Sequence, residues 1–135
     1  MGEETLVKVV KVWVRSGGYG VVDLTETVKD VVRVEGLREG LVTVFTPEPG
    51  CSVTMIEYEP GLMKDLERVV KEYCGANPAL AEALVGKFAA APVINGEVAL
   101  GAFKHFVLVD LSRRAGVKEV LVTLEGVHGG AEVQD

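Results

Sequence analysis

Imidazoles and thiols are the side chains that most often do chemistry near neutral pH, and this chain is sparing with both. It has two histidines, His105 and His128, and two cysteines, Cys51 and Cys74, with no Cys-x-x-Cys pair and no histidine pair at metal-ligand spacing. The cysteines therefore read as buried free thiols, and no metal site and no cofactor is expected. His105 lies in an alternating stretch and shares a face with Phe103, Val107 and Val109, which favours a hydrogen-bonded core or subunit-contact histidine over a catalytic one. His128 stands in a glycine-rich tail and reads as solvated. Ser16-Gly17-Gly18-Tyr19-Gly20 has the glycine density of a phosphate cradle, but neither Gly-x-Gly-x-x-Gly nor a Walker lysine is present, so it reads as a turn.

The elements that would position these residues follow from the apolar pattern. At 135 residues and 48% apolar content the chain can bury a core as one domain without disulfides. Residues 1–126 are expected to form that domain and 127–135 a flexible C-terminal tail. Leu6–Val14 is rich in β-branched residues and reads as a strand, with a short strand at Val21-Val22. Thr25 is expected to cap a helix carrying Val28, Val31, Val32 and Val34, which Gly36 ends. Strands are expected at Leu41–Phe45 and Ser52–Tyr58. A helix is expected over Gly61–Tyr73, its stripe being Leu62, Leu66, Val69, Val70 and Tyr73, and another over Pro78–Val85. Strands Ala90–Ile94 and Glu97–Leu100 flank Asn95-Gly96, a strong hairpin signal, and strands Phe103–Leu111 and Val117–Glu125 close the chain. The predicted class is α+β, a strand-rich, mostly antiparallel sheet or sandwich with two to three helices.

Composition excludes several functions. The net charge is −6 and the longest basic block is Arg113-Arg114, so the basic face that nucleic acid requires is missing. No apolar run approaches the roughly 18 residues of a membrane span, and the acidic start Met1–Thr5 is unlike a secretory signal. A cytoplasmic protein is expected. Only Asn77, Asn95 and Gln134 carry side-chain amides, a depletion that fits a thermophilic source.

Three blocks resemble the YjbQ-type family, described as secondary thiamine-phosphate synthase enzymes. They are Gly40-Leu41-Val42-Thr43-Val44-Phe45; Val53-Thr54-Met55-Ile56-Glu57-Tyr58-Glu59-Pro60-Gly61-Leu62; and Gly86 followed by Pro92–Gly101. The resemblance covers most of the chain. It implies a homotrimer of small α+β subunits, with a polar pocket of histidines and acids that takes a metal or an anion. The two-sided apolar strand Phe103–Leu111, which needs cover on both faces, points the same way.

This sequence departs from the family pattern where chemistry is concerned. The family's His-Thr-Thr-Ala is Glu48-Pro49-Gly50-Cys51, and its Asn- and His-rich stretch is Gly75-Ala76-Asn77-Pro78-Ala79-Leu80. Its Gly-Thr-Trp-Gln is Gly101-Ala102-Phe103-Lys104, and its Asp-Gly-Pro-Arg is Ser112-Arg113-Arg114-Ala115. Glutamate, asparagine and alanine do not reproduce neutral imidazole, so the thiamine-phosphate chemistry is expected to be absent or badly weakened. What the resemblance leaves for a pocket is Glu57, which matches the family's Glu, and Asp110, which stands where the family has Glu. Lys104 shares Asp110's strand face but lies about 20 Å away along it, too far for a direct pair. Arg113 and Arg114 could clamp an anion.

The leading expectation is therefore a divergent, non-catalytic family member that binds a small anionic metabolite at subunit boundaries. One alternative is an active enzyme using Glu48 and Glu57 as acid–base groups or hard-metal ligands. Another is a purely structural interaction module.

Overall fold

The computed structural model describes residues 4–129. The β-branched N-terminal segment forms β1 (Glu4–Ser16), followed by β2 (Gly20–Asp23), α1 (Thr25–Glu35), β3 (Leu37–Phe45) and β4 (Cys51–Glu57). Helices α2 (Pro60–Cys74) and α3 (Pro78–Val85) come next, then β5 (Phe88–Ile94), β6 (Glu97–Val98), β7 (Lys104–Asp110) and β8 (Gly116–His128). Two antiparallel sheets result, one of five strands in the order β1-β8-β3-β5-β6 and one of three in the order β2-β7-β4. This is the α+β class that the sequence predicts.

Alternation sends Val42, Val44, Val120, Val122 and Leu124 of the large sheet inward, against Phe106 and Leu108 of β7 and Val28, Val31 and Val32 of α1. Val107 and Val109, on the other face of β7, pack with Val70, Cys74 and Ala81 of α2 and α3. Each fully buried Leu or Phe contributes roughly 1.5–3 kcal/mol to this packing. Both faces of β7 are thus covered inside one chain. The expectation that Phe103–Leu111 needs a neighbouring subunit for cover is corrected by the helical layer.

Local chemistry accounts for most element ends. Asn95 and Gly96, at φ 53° and 81°, make the tight β5–β6 hairpin turn. Gly36, at φ 78°, closes α1 in the left-handed conformation. Thr25 does not cap α1 as expected. Its own N–H donates to Asp23 Oδ1 at 3.0 Å, while its hydroxyl accepts the Phe106 N–H at 2.9 Å and so ties α1 to β7. In α2 the buried face is Val70 and Cys74 with Met63 and Leu66 beside them, while Tyr73 is 71% exposed. The expected stripe is therefore rotated toward Met63 and Cys74. β8 continues to His128, so Val127 and His128 are paired with β1 and β3 and are not tail residues. The rest of the expected tail, from 130 onward, lies outside the described residues. Cys51 and Cys74 are buried free thiols, as expected.

Among the described residues nothing covers the large sheet's outer face. Val7, Val9, Trp13, Phe88, Ile94 and Val117 are each more than half exposed there.

Candidate functional site

Strand β7 ends in a polar pair at each extremity, and the seven-residue strand holds the two about 20 Å apart. At its C-terminal end Asp110 faces the space between the sheets and is fully buried. Its Oδ2 accepts the Ser16 hydroxyl at 2.6 Å and its Oδ1 the Ser112 N–H at 2.8 Å. Lys118 occupies an inward position of β8 otherwise filled by valine and leucine, and its Nζ lies 3.8 Å from Asp110 Oδ2 and 3.0 Å from Ser112 Oγ, to which it donates. Burial alone would raise the Asp110 carboxyl, but the hydrogen bonds from Ser16, Ser112 and Cys51 outweigh it and hold the group below the usual carboxylate range. The neighbouring Cys51 thiol is pushed up to about 12 by burial and by Asp110.

Around this sealed pair the surface is basic. Gly18, at φ 93°, brings the β1–β2 turn against the 112–115 loop, where its carbonyl accepts the Arg113 N–H at 2.6 Å. A Cβ on Gly18 would sit 2.8 Å from the Arg114 backbone, so this close approach requires glycine. Arg113, itself at φ 62°, and Lys71 both lie over the Tyr19 ring, at 4.3 and 4.2 Å from its centroid. Lys71 also pairs with Glu67 at 2.8 Å. Arg114 is exposed, as is Arg15, which lies opposite Val117 in the β1–β8 ladder. Guanidinium groups are the side chains suited to bidentate contact with an anion, and Arg15, Arg113 and Arg114 supply three of them in this corner.

At the N-terminal end of β7, His105 Nδ1 lies 2.8 Å from Asp23 Oδ2, joining β7 to β2. The Tyr58 ring stacks on the imidazole at 4.3 Å and 15°. Burial raises the Asp23 carboxyl, but the Thr25 N–H and His105 more than compensate and hold it low. The pair is only partly covered, with 25% of the His105 side chain and 32% of Asp23 exposed.

The expected site residues are divided by this arrangement. Asp110, Arg113 and Arg114 come together at one end of β7. Lys104 stands at the other, opposite Glu57 in the β4–β7 ladder. Glu48 precedes β4 and Glu57 is its last residue, so the two carboxylates do not converge within one chain. Glu48 Oε2 accepts the Glu119 N–H at 2.7 Å, and Glu48 clamps its loop to β8. Asn77 caps α3 by accepting the Leu80 N–H at 3.4 Å. His128 is partly buried, its Nδ1 inaccessible and without a partner among the described residues, which corrects the solvated reading. Ser16, Lys118, Asp23 and Tyr58 were not anticipated. Lys118 carried a signal, a lysine at an inward position of an alternating strand, whereas Asp23 and His105 are 82 residues apart and show none.

Among the described residues no group of three or more His, Cys, Asp or Glu side chains is placed to hold a metal ion, and no helix is long and apolar enough to cross a membrane. A cleft between α1 and the β5–β6 turn, lined by Lys29, Arg33, Asp30 and Glu97 among others, contains none of the candidate residues. Arg33 is already paired with Asp30 there at 3.0 Å.

Solved structures share this architecture. A YbjQ-like protein of unknown function from Sulfolobus solfataricus superposes with a TM-score of 0.83 at 22% identity, over 91% of this chain and 99% of that one. A hypothetical protein from Aeropyrum pernix gives 0.77 at 22% identity, over 87% and 97%. A conserved hypothetical protein from Thermus thermophilus gives 0.72 at 25% identity, over 84% and 97%. No curated protein matches at the same stringency. The family model for UPF0047 protein YjbQ-like matches residues 10–127, nearly the whole of the described fold, and the chain belongs to the YjbQ-like family.

Proposed function

We propose that this chain is a divergent, non-catalytic member of its family that self-associates, as a homotrimer, and binds a small anionic metabolite at the subunit boundary. The observation that carries this reading is the basic corner of Arg15, Arg113, Arg114 and Lys71 in a chain of net charge −6, beside the uncovered outer face of the large sheet. Trp13, Arg15 and Val117 belong to that face, and Val117 is three residues from Arg114. Contiguous exposed apolar faces of this kind on small proteins mark contact surfaces, and a second copy of the chain is the partner that always accompanies it.

Loss of the thiamine-phosphate chemistry is supported by what the replacing side chains do. Glu48 is engaged with the Glu119 backbone and Asn77 with that of Leu80, and Ala79 lies within α3. A cytoplasmic location and a heat-adapted source accompany this reading.

The test uses the full chain in three measurements. Light scattering gives the mass of a trimer, and a monomer at micromolar concentration contradicts self-association. Inorganic pyrophosphate raises the melting temperature in a saturable way, by the linkage of ligand binding to folding, and no shift contradicts the anion site. Incubation with the alcohol precursor and pyrophosphate yields no thiamine phosphate, and turnover contradicts the loss of chemistry.

A further inference from the structure

The Asp23–His105 pair has the parts of a proton-accepting centre and lies at the end of β7 remote from the basic corner. In a carboxylate–imidazole pair the carboxylate accepts the Nδ1 proton, which fixes the tautomer and leaves Nε2 with a lone pair. Asp23 is itself held, because its other oxygen accepts the Thr25 N–H at 3.0 Å at the start of α1. The ring is held too, since Tyr58 stacks on one side and the Tyr58 N–H donates to the Phe103 carbonyl at 2.6 Å. Nε2 has no partner among the described residues.

The surroundings look built. Phe103 adopts φ 60°, a left-handed conformation that bulky residues avoid, and its side chain is 78% exposed beside Tyr58. The charged groups nearest in sequence and register are Asp23 from β2, Glu57 and Glu59 flanking Tyr58, and a single cation, Lys104. Anions are disfavoured in that field.

We propose that His105 Nε2 accepts a hydrogen bond from the hydroxyl of an uncharged compound seated against Tyr58 and Phe103, with the Asp23 carboxylate keeping the proton on Nδ1 and the lone pair on Nε2. This centre is independent of the anion site, and either can fail without the other.

Diethyl pyrocarbonate, an uncharged electrophile, serves as the probe on the full chain. Nε2 attacks one carbonyl, the bond to the ethyl carbonate group breaks, and the leaving group takes the Nδ1 proton by way of Asp23 and decays to carbon dioxide and ethanol. Peptide mapping is expected to show His105 modified at least as fast as free N-acetylhistidine despite its partial burial, with Asp23→Asn slowing it about tenfold through loss of the fixed tautomer. Should Asp23→Asn not fold, imidazole ¹⁵N shifts of the wild-type chain decide the matter, since they report the tautomer directly. A proton on Nδ1 with a lone pair on Nε2 supports the proposal. A proton on Nε2, or a His105 that reacts more slowly than N-acetylhistidine or is indifferent to Asp23→Asn, overturns it and leaves the pair as a tie between β2 and β7.

Discussion

The two ends of β7 hold similar partners in opposite settings. Asp110 meets Lys118 in the space between the sheets, with both side chains nearly inaccessible and the carboxylate's oxygens occupied by Ser16 and Ser112. Asp23 meets His105 at the rim of the same sheet, with a quarter of the His105 side chain exposed and Nε2 without a partner among the described residues. A sealed pair whose valences are filled is committed to holding the structure, because desolvated charges are tolerable only when paired. An open pair with one free valence still has an atom to offer a ligand. At the sealed end the groups left open to solvent are the arginines around the pair.

The largest expected effect breaks the sealed end. Asp110→Ala leaves Lys118 as an unpaired buried charge and should cost roughly 3–5 kcal/mol in urea unfolding, enough to unfold a marginal domain. Asp23→Ala removes two partly exposed hydrogen bonds, those from His105 and from the Thr25 N–H, and should cost about 2 kcal/mol. Equal costs would erase the distinction between the two ends.

Acid unfolding sharpens it further. Both carboxyls are held below their ordinary value of 3.8 in the folded chain, so their stabilisation is complete above that value and is lost as pH falls through the lower folded values. The urea midpoint of the wild type should fall between about pH 4 and pH 2, and Asp110→Asn should flatten that fall more than Asp23→Asn does. Thiol labelling gives a third contrast. The Cys51 thiol, pushed up to about 12 and buried, should resist alkylation at pH 8 in the native chain and react on denaturation, whereas rapid native labelling would show the end to be open.

Much of the fold was legible because its signals are local. Pro78 and Gly86 bracket α3, Asn95-Gly96 sets the hairpin, and β-branched alternation marks β1 and β8. The facing of α2 was not legible. Leu62, Met63, Leu66, Val69, Val70 and Tyr73 support two overlapping stripes, and only the position of β7 beneath the helix selects the one containing Met63 and Val70. Covering of β7 on both faces misled for the same reason, since a two-sided strand looks alike whether its own helices or a neighbour covers it. The candidate sites were least legible. Ser16 and Asp110 are 94 residues apart and Asp23 and His105 are 82, and pairings at such separations follow from sheet topology alone. Arg113 and Arg114 were visible as the longest basic block, in the segment that departs from the family's Asp-Gly-Pro-Arg.

The most direct test asks whether an anion binds and, if so, at which end of β7. Calorimetric titration of inorganic pyrophosphate into the full chain should give saturable binding that weakens at least tenfold in Arg113→Ala/Arg114→Ala and is unchanged in Asp23→Asn. Binding that survives loss of both arginines, or that is lost in Asp23→Asn, would contradict the division of labour between the two ends.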